Sequence, residues 1–509
     1  MKERLAQLAL HAIVLFPAAF VTALAFPRTD WSFTPWLAVA PMLAMAAIRP
    51  PRVALAWGWA YGVVFFLVLL RWLNHTFQVY SAIPWPVVYG PTFLLAGYCA
   101  LWIGAVAWAV SVVASRRSTA AALALAPFFW VGGEWLRGHL FGGFPWGTLG
   151  YSQYLHLGVI QIAELSGVHA VSFVLVAVNA AAAGCVLLAW RQAVAGAAIG
   201  AGLLAATLAF GALRLAEPLP APLAPVAIIQ PAIEQPMKWE PRHTRETVGI
   251  YFALLRRVAD DHPALIVWPE TAAPTILRKD PALLEAFRKA SASMKTPMLM
   301  GTVDMAGEPA RFRNTAFLLS ETGLVDRYDK IHLVPFGEFV PLSGVLGFVR
   351  GWAEFIAELE AGSRAVVFQG PPAPFGVVIC YEGIFPDLVR QFVNNGAQLM
   401  VNMTNDAWFG RTSGPEQHLT MYPFRAIEHR VSVVRAANTG VSAFIAPNGA
   451  IVRRLRLFER DVMTQSMPGR GRRTLFTRVG DWLGLVSLAV TTASLAVTFR
   501  PRPRAAGRA

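Results

Sequence analysis

Three residue types suited to acyl chemistry are spread along the second half of this 509-residue chain. Glu270 follows the apolar run Leu265–Trp268 (LIVW) in Trp268-Pro269-Glu270-Thr271, which puts a carboxylate at the tip of a predicted buried strand. Lys330 lies in Tyr328-Asp329-Lys330-Ile331-His332-Leu333-Val334-Pro335, and Glu338 follows in Pro335-Phe336-Gly337-Glu338. Cys380 directly follows Phe375-Gly376-Val377-Val378-Ile379 and precedes Tyr381-Glu382-Gly383. A free thiol titrates near about 8.5, so it needs a base or a nearby cation to react as thiolate. A carboxylate within reach accepts that proton. An ammonium beside both favours the thiolate and steadies a tetrahedral oxyanion, as do backbone N–H groups just past a strand end. Glu, Lys and Cys can therefore run acyl transfer with neither histidine nor metal. The ten histidines form no HExxH and no Cys/His cluster, so no metal is expected; His332 is expected to make a structural hydrogen bond. With no P-loop and no GxGxxG, no nucleotide or other cofactor is expected.

Positioning such groups calls for a buried sheet. After the Pro-rich linker Glu217–Pro225, strands are predicted at 226–230, 265–268, 298–303, 315–319, 377–379, 399–403, 432–436 and 442–445. Helices are expected between them at 242–261, 281–294, 386–395 and 417–429. Alternation of this kind argues for one α/β domain whose sheet faces are both covered.

The rest of the chain belongs to a bilayer. Hydrophobic residues make up 55% and charged ones 15%, against about 45–50% and about 25% in ordinary soluble domains. All but five of the 30 acidic residues lie between about 215 and 479. Eight spans are predicted near 9–26, 34–48, 53–73, 87–114, 120–137, 165–189, 194–213 and 481–499, the second being short and holding Pro35 and Pro41. Basic residues at Lys2, Arg4, Arg49, Arg52, Arg116, Arg117, Arg191 and the Arg500–Arg508 tail fall on alternate connections, which marks that side as cytoplasmic. Seven crossings then place the large insert outside, in a bacterium the periplasm. The expected fold is a polytopic α-helical membrane protein with an inserted α/β periplasmic domain. Its parts are a membrane domain at 1–216, the catalytic insert at 217–479, and a last helix with a basic tail at 480–509. The net charge of +14 is mostly this topology signal, and no nucleic-acid partner is expected. Cys99 and Cys185, inside apolar helices, are expected to pack, and Glu134 and Arg137, at i and i+3, to pair.

The segments WPE, DKIHLVPFGE and CYEG, in this order and spacing, resemble the Glu–Lys–Cys site of the nitrilase (carbon–nitrogen hydrolase) superfamily. With several apolar spans before the domain and one after it, the whole chain resembles the bacterial apolipoprotein N-acyltransferase family. Further family-like segments are Phe144-Pro145-Trp146, Gly150-Tyr151-Ser152-Gln153, Gln230-Pro231 leading to Lys238-Trp239, Asn314-Thr315, and Asn402–Gly410. The resemblance implies an αββα domain and a two-step transfer. Cys380 takes an acyl chain from a phospholipid donor such as phosphatidylethanolamine as a thioester. The α-amino group of a diacylglyceryl-cysteine apolipoprotein then receives it. Glu270 is implied as general base and acid, Lys330 as oxyanion stabiliser, and Glu338, Tyr381 and Glu382 as supporting residues. Trp239 matches an aromatic on a mobile arm, Trp146 a tryptophan near the lipid entrance, and Asn314 and Trp408 candidate substrate-site residues. The stretch 345–356 and the Trp408-Phe409 loop are expected to contact lipid. A monomer in the bacterial inner membrane is expected. Two other readings stay open: a membrane-tethered amidase or nitrilase of small amides, and a non-catalytic transporter or receptor with a nitrilase-like binding domain.

Overall fold

Twelve strands build two six-stranded sheets in the computed structural model, which describes residues 2–500 apart from 239, 308–309, 342 and 348–357. Trp239 and most of the stretch 345–356 lie outside the described residues. The strands are β1 Val226–Gln230, β2 Leu265–Val267, β3 Met298–Ala306, β4 Arg311–Ser320, β5 Gly323–Asp329, β6 Val367–Phe368, β7 Phe375–Ile379, β8 Leu399–Thr404, β9 Ser432–Ala437, β10 Ala443–Ile445, β11 Ile451–Arg454 and β12 Asp461–Gln465. One sheet runs β12-β1-β2-β3-β4-β5 and the other β11-β10-β9-β8-β7-β6. In each, three adjacent strands are parallel (β1–β3, β7–β9) and the outer pairings are antiparallel. The parallel strands are mostly apolar because both faces are covered: β1, β2, β7, β8 and β9 are buried at every residue.

Alternation along β1–β3 divides the side chains between two cores. Ala227, Ile229, Ile266, Met298 and Met300 pack with Tyr251, Leu254 and Leu255 of helix Thr244–Val258 and with Leu283 and Phe287 of helix Pro281–Met294. Val226, Ile228, Leu265, Val267 and Leu299 join the core that continues through β7–β10 into the membrane helices. Helices Pro386–Asn394 and Tyr422–His429 cover the second sheet, completing an αββα stack. The helix predicted at 417–429 is broken, as Gly414–Leu419 and Tyr422–His429.

Six helices among the described residues are long and apolar enough to span a bilayer: Pro51–Leu69, Val87–Arg116, Thr119–Gly142, Val168–Leu187, Trp190–Ala216 and Trp482–Phe499. Of the other two predicted runs, the first forms the apolar helix Leu8–Ala23. The second is shorter than a span: Thr34–Trp36 is a 3-10 turn, followed by the nine-residue helix Ala40–Ile48. The run predicted at 165–189 starts instead at Val168, because Gly167, at φ 69°, ends the preceding short helix Ala163–Ser166. Small residues let helices 51–69 and 90–116 meet closely: a Cβ on Gly58 would lie 2.5 Å from the Ala107 Cβ, and one on Gly62 2.8 Å from the Ala100 Cβ.

Candidate active site

The ends of β2, β5, β7 and β8 converge. Glu270 leaves β2 through Trp268-Pro269, and Thr271 turns the chain at φ 45°. Gly301 on β3 makes room for this turn, since a Cβ there would sit 2.5 Å from the Pro269 carbonyl. Glu270 is 6% exposed. Its Oε1 accepts from Asn314 Nδ2 at 2.7 Å and its Oε2 from the Asn405 backbone N–H at 2.8 Å. Lys330, one residue past β5, places Nζ 2.8 Å from Glu338 Oε1 and 3.6 Å from Glu270 Oε1. Burial pulls the Lys330 amine down, but Glu338 and Glu270 outweigh it and hold it above its ordinary value. Asn314 also donates to Glu338 Oε1 at 3.2 Å, and the Val334 N–H donates to Glu338 Oε2 at 2.8 Å. Asn314 thus orients both carboxylates from β4, an interior strand of its sheet.

Cys380 ends β7 in the left-handed region, at φ 52°, an uncommon and strained conformation for a non-glycine residue. The charges of Glu270 and Lys330 both act on its thiol. Burial and then Glu270 push the thiol up, and Lys330 opposes them without prevailing. The resting group is therefore a protonated thiol, where the amine alone would have favoured thiolate. Glu382, fully buried, ties the cysteine turn to the lysine strand. It accepts from Ile379 N at 2.7 Å on one oxygen, and from Tyr328 OH, Ile331 N and His332 N at 2.8, 2.6 and 3.0 Å on the other. Burial lifts its carboxyl to about 7 against those bonds. Tyr381 OH donates to the Gly143 carbonyl at 3.2 Å, and the His332 ring stacks on Phe385 with centroids 3.8 Å apart and hydrogen-bonds the Gly142 backbone. Both contacts join the site to the loop after helix Thr119–His139.

Several neighbours of the site were not assigned to it from sequence, although Lys238 stands in the Lys238-Trp239 segment. Lys238, 2% exposed, donates to the Glu270 carbonyl at 3.0 Å and to Thr271 Oγ1 at 2.6 Å, and burial lowers it to about 7. The Cys380 thiol is hydrogen-bonded with the Thr404 hydroxyl, which donates to Asp406 Oδ1 at 3.0 Å. Asp406 also takes His418 Nδ1 at 3.0 Å and Arg435 Nη2 at 2.7 Å. Tyr422 OH donates to the Cys380 carbonyl at 3.2 Å and lies 3.2 Å from His418 Nε2. Burial and then Arg435 lower His418, and Asp406 opposes them without prevailing. Thr404 and Asp406 stand inside the quoted Asn402–Gly410 segment, but no spacing in the sequence links them to His418 or Arg435.

Trp146 and Trp408, expected on the lipid side, both pack against aromatics of the first 216 residues. Trp146 is 2% exposed and donates to Gln417 Oε1 at 2.9 Å, against Trp72, with ring centroids 5.0 Å apart. Trp408 packs edge-on against Tyr80, and its carbonyl accepts from Thr76 Oγ1 at 2.9 Å; Phe409 meets Trp72 with centroids 4.5 Å apart. These aromatics close the seam between the sheet domain and the membrane helices, because Gln417 gives buried indoles their polar partner. Glu134 and Arg137 do not pair with each other: Glu134 Oε1 accepts from the Leu149 N–H, and Arg137 holds the Phe144 and Trp146 carbonyls. Cys99 is buried as expected, whereas Cys185 is exposed on its helix.

Taken together, a carboxylate fixed by two donors, an amine fixed by two carboxylates and a thiol on a strained turn can abstract a proton, stabilise an oxyanion and form a covalent adduct. Comparison with known proteins identifies the family of the whole chain. The apolipoprotein N-acyltransferase N-terminal domain matches residues 18–181, and the carbon-nitrogen hydrolase family matches residues 225–473. The apolipoprotein N-acyltransferase of Geobacter metallireducens is 36% identical over 490 residues, covering 94% of this chain and 93% of that protein. Those of Rhizobium meliloti and Haemophilus ducreyi are 35% and 30% identical, each covering 92% of this chain and 88% and 93% of their own. With both halves and the whole length matched, the chain belongs to the apolipoprotein N-acyltransferase family.

Proposed function

We propose that the protein transfers a fatty acyl chain from a phospholipid, such as phosphatidylethanolamine, to the α-amino group of a diacylglyceryl-cysteine lipoprotein precursor, through a thioester on Cys380. The observation that carries this reading is the Glu270–Lys330 pair set against the Cys380 thiol, in a domain whose site loops are hydrogen-bonded to segments that connect the membrane helices. As Cys380 Sγ attacks the ester carbonyl, its proton passes to Glu270, and the developing oxyanion lies against the Lys330 ammonium. Collapse expels the lysophospholipid alcohol, which takes the proton from Glu270. The lipoprotein amine then attacks the thioester, Glu270 removes an amine proton, and the amide leaves the thiol restored. Glu338 and Asn314 hold the two charged groups in place, and Tyr381 and Glu382 hold the cysteine turn.

In this reading residues 217–479 form the catalytic domain, on the periplasmic side of the bacterial inner membrane, and 1–216 and 480–509 anchor it as a monomer. Both substrates are lipids, so anchoring raises the frequency of productive encounter. Incubating the purified protein with phosphatidylethanolamine and a diacylglyceryl lipopeptide should add one acyl mass to the peptide, and alkyne-tagged donor lipid should label Cys380 through a hydroxylamine-sensitive bond. Cys380→Ala should abolish both. Cleavage of small amides with no retained acyl group would overturn the proposal in favour of a hydrolase.

A further inference from the structure

At the opposite end of the second sheet lies a cluster that the proposed chemistry does not use. Glu164, 2% exposed, is ion-paired with Arg214 at 2.8 Å and with Arg430 and Arg472 at 2.5 Å each. Arg214 also reaches Glu217 at 2.5 Å, and Arg430 Nη1 donates to Gln161 Oε1 at 2.8 Å. Three guanidiniums therefore face two carboxylates, leaving one positive charge. Arg430 is 7% exposed, and its Nη2 lies beside Glu164 without aligning on any acceptor as a hydrogen bond. Burial lowers the Arg430 guanidinium, and Arg214 and Arg472 add to this while Glu164 opposes it. All three arginines line a cavity of about 190 Å³ with Glu217 and Asn448. A single water needs only about 10–15 Å³ of such space, so the cavity accommodates a phosphate group.

Its place in the fold indicates what kind of anion would come there. Arg214 stands in the last turn of the apolar helix Trp190–Ala216, so the cavity sits where the chain leaves the hydrocarbon and phospholipid phosphates lie. Arginine forks match phosphate oxygens in pairs. Cys380 and Asn405 follow the C-terminal ends of β7 and β8, while Arg430 precedes the start of the parallel strand β9. With six residues in β8, the two sites are about 20 Å apart along the sheet. We propose that this cavity binds the phosphate of an anionic phospholipid headgroup, a lipid distinct from any at Cys380, and so fastens the far end of the sheet domain to the membrane surface.

The test uses the full chain as Cys380→Ala, so that no lipid is consumed. It is titrated in detergent with dioleoylphosphatidylglycerol, dioleoylphosphatidylcholine and inorganic phosphate, and binding is read by native mass spectrometry and melting temperature. One phosphatidylglycerol should bind ahead of phosphatidylcholine and raise the melting temperature. Arg472 is the half-exposed member, and Glu164 keeps its other two partners without it. Arg472→Ala should therefore fold yet weaken the first phosphatidylglycerol at least about fivefold, and Arg472→Lys should recover part of the loss. Equal binding by Arg472→Ala, no preference for the anionic lipid, or stabilisation by inorganic phosphate alone would each overturn the proposal.

Discussion

Glu270 and Lys330 act on the Cys380 thiol with opposite signs, and this makes their roles separable. Burial and the Glu270 charge raise the thiol, and the Lys330 charge lowers it. Glu270→Gln removes one raising influence and, with it, the proposed base. Alkylation of Cys380 by iodoacetamide should then proceed at lower pH than in the wild type, while acyl transfer falls at least about 100-fold. If labelling and turnover fall together, Glu270 is not set against the thiol as described. A second prediction concerns Lys238, whose buried amine is lowered to about 7. Below that pH the folded and unfolded chains both carry the charge, and burial costs its full amount. As pH rises from about 7 toward the unfolded value near about 10.4, only the unfolded chain stays protonated, so rising pH favours folding. The melting temperature of the wild type relative to Lys238→Met should therefore climb across that window and stay flat below it.

Among the elements, the turn after β7 depends on how closely the helix bearing Tyr422 approaches. A Cβ at Gly383 would lie 2.3 Å from the Tyr422 hydroxyl, the group that holds the Cys380 carbonyl. Gly383→Ala should displace that hydroxyl and cut the initial acyl-transfer rate about tenfold or more. Stability should fall by about 1–3 kcal/mol, as is usual for overpacking, read by thermal melting of both proteins. The elements themselves were unevenly legible. All eight strands expected from their apolar runs are present, because a strand buried on both faces is mostly apolar along its length. The four that were missed, β5, β6, β11 and β12, are the edges of the two sheets. Gly323–Asp329 (GLVDRYD) and Ile451–Arg454 (IVRR) carry exposed charges of the kind sheet edges tolerate, which hides the apolar run that marks a buried strand. That left Lys330 in a readable motif with its strand unread.

Over the whole molecule, Gln417 is a polar centre of the seam between sheet domain and membrane helices. Gln417 accepts from both Trp72 and Trp146 indoles and donates to the Pro27 and Leu69 carbonyls. Gln417→Ala leaves buried donors and acceptors unpaired, at about 1–3 kcal/mol each, so the melting temperature should drop clearly; an unchanged value would show that the seam does not rely on this amide. The sequence by itself determined six of the eight expected membrane runs, the α/β insert and the motifs bearing Glu270, Lys330 and Cys380, because apolar length, burial periodicity and short motifs are local properties of the chain. It did not determine that Asn314 serves two carboxylates, that Lys238 lies under Glu270, that Thr404, Asp406 and His418 reach the thiol and its turn, or that Trp146 and Trp408 close a seam. Those pairings join residues far apart in the chain, and only the packing of two sheets against each other and against the membrane helices decides which distant polar groups must satisfy one another.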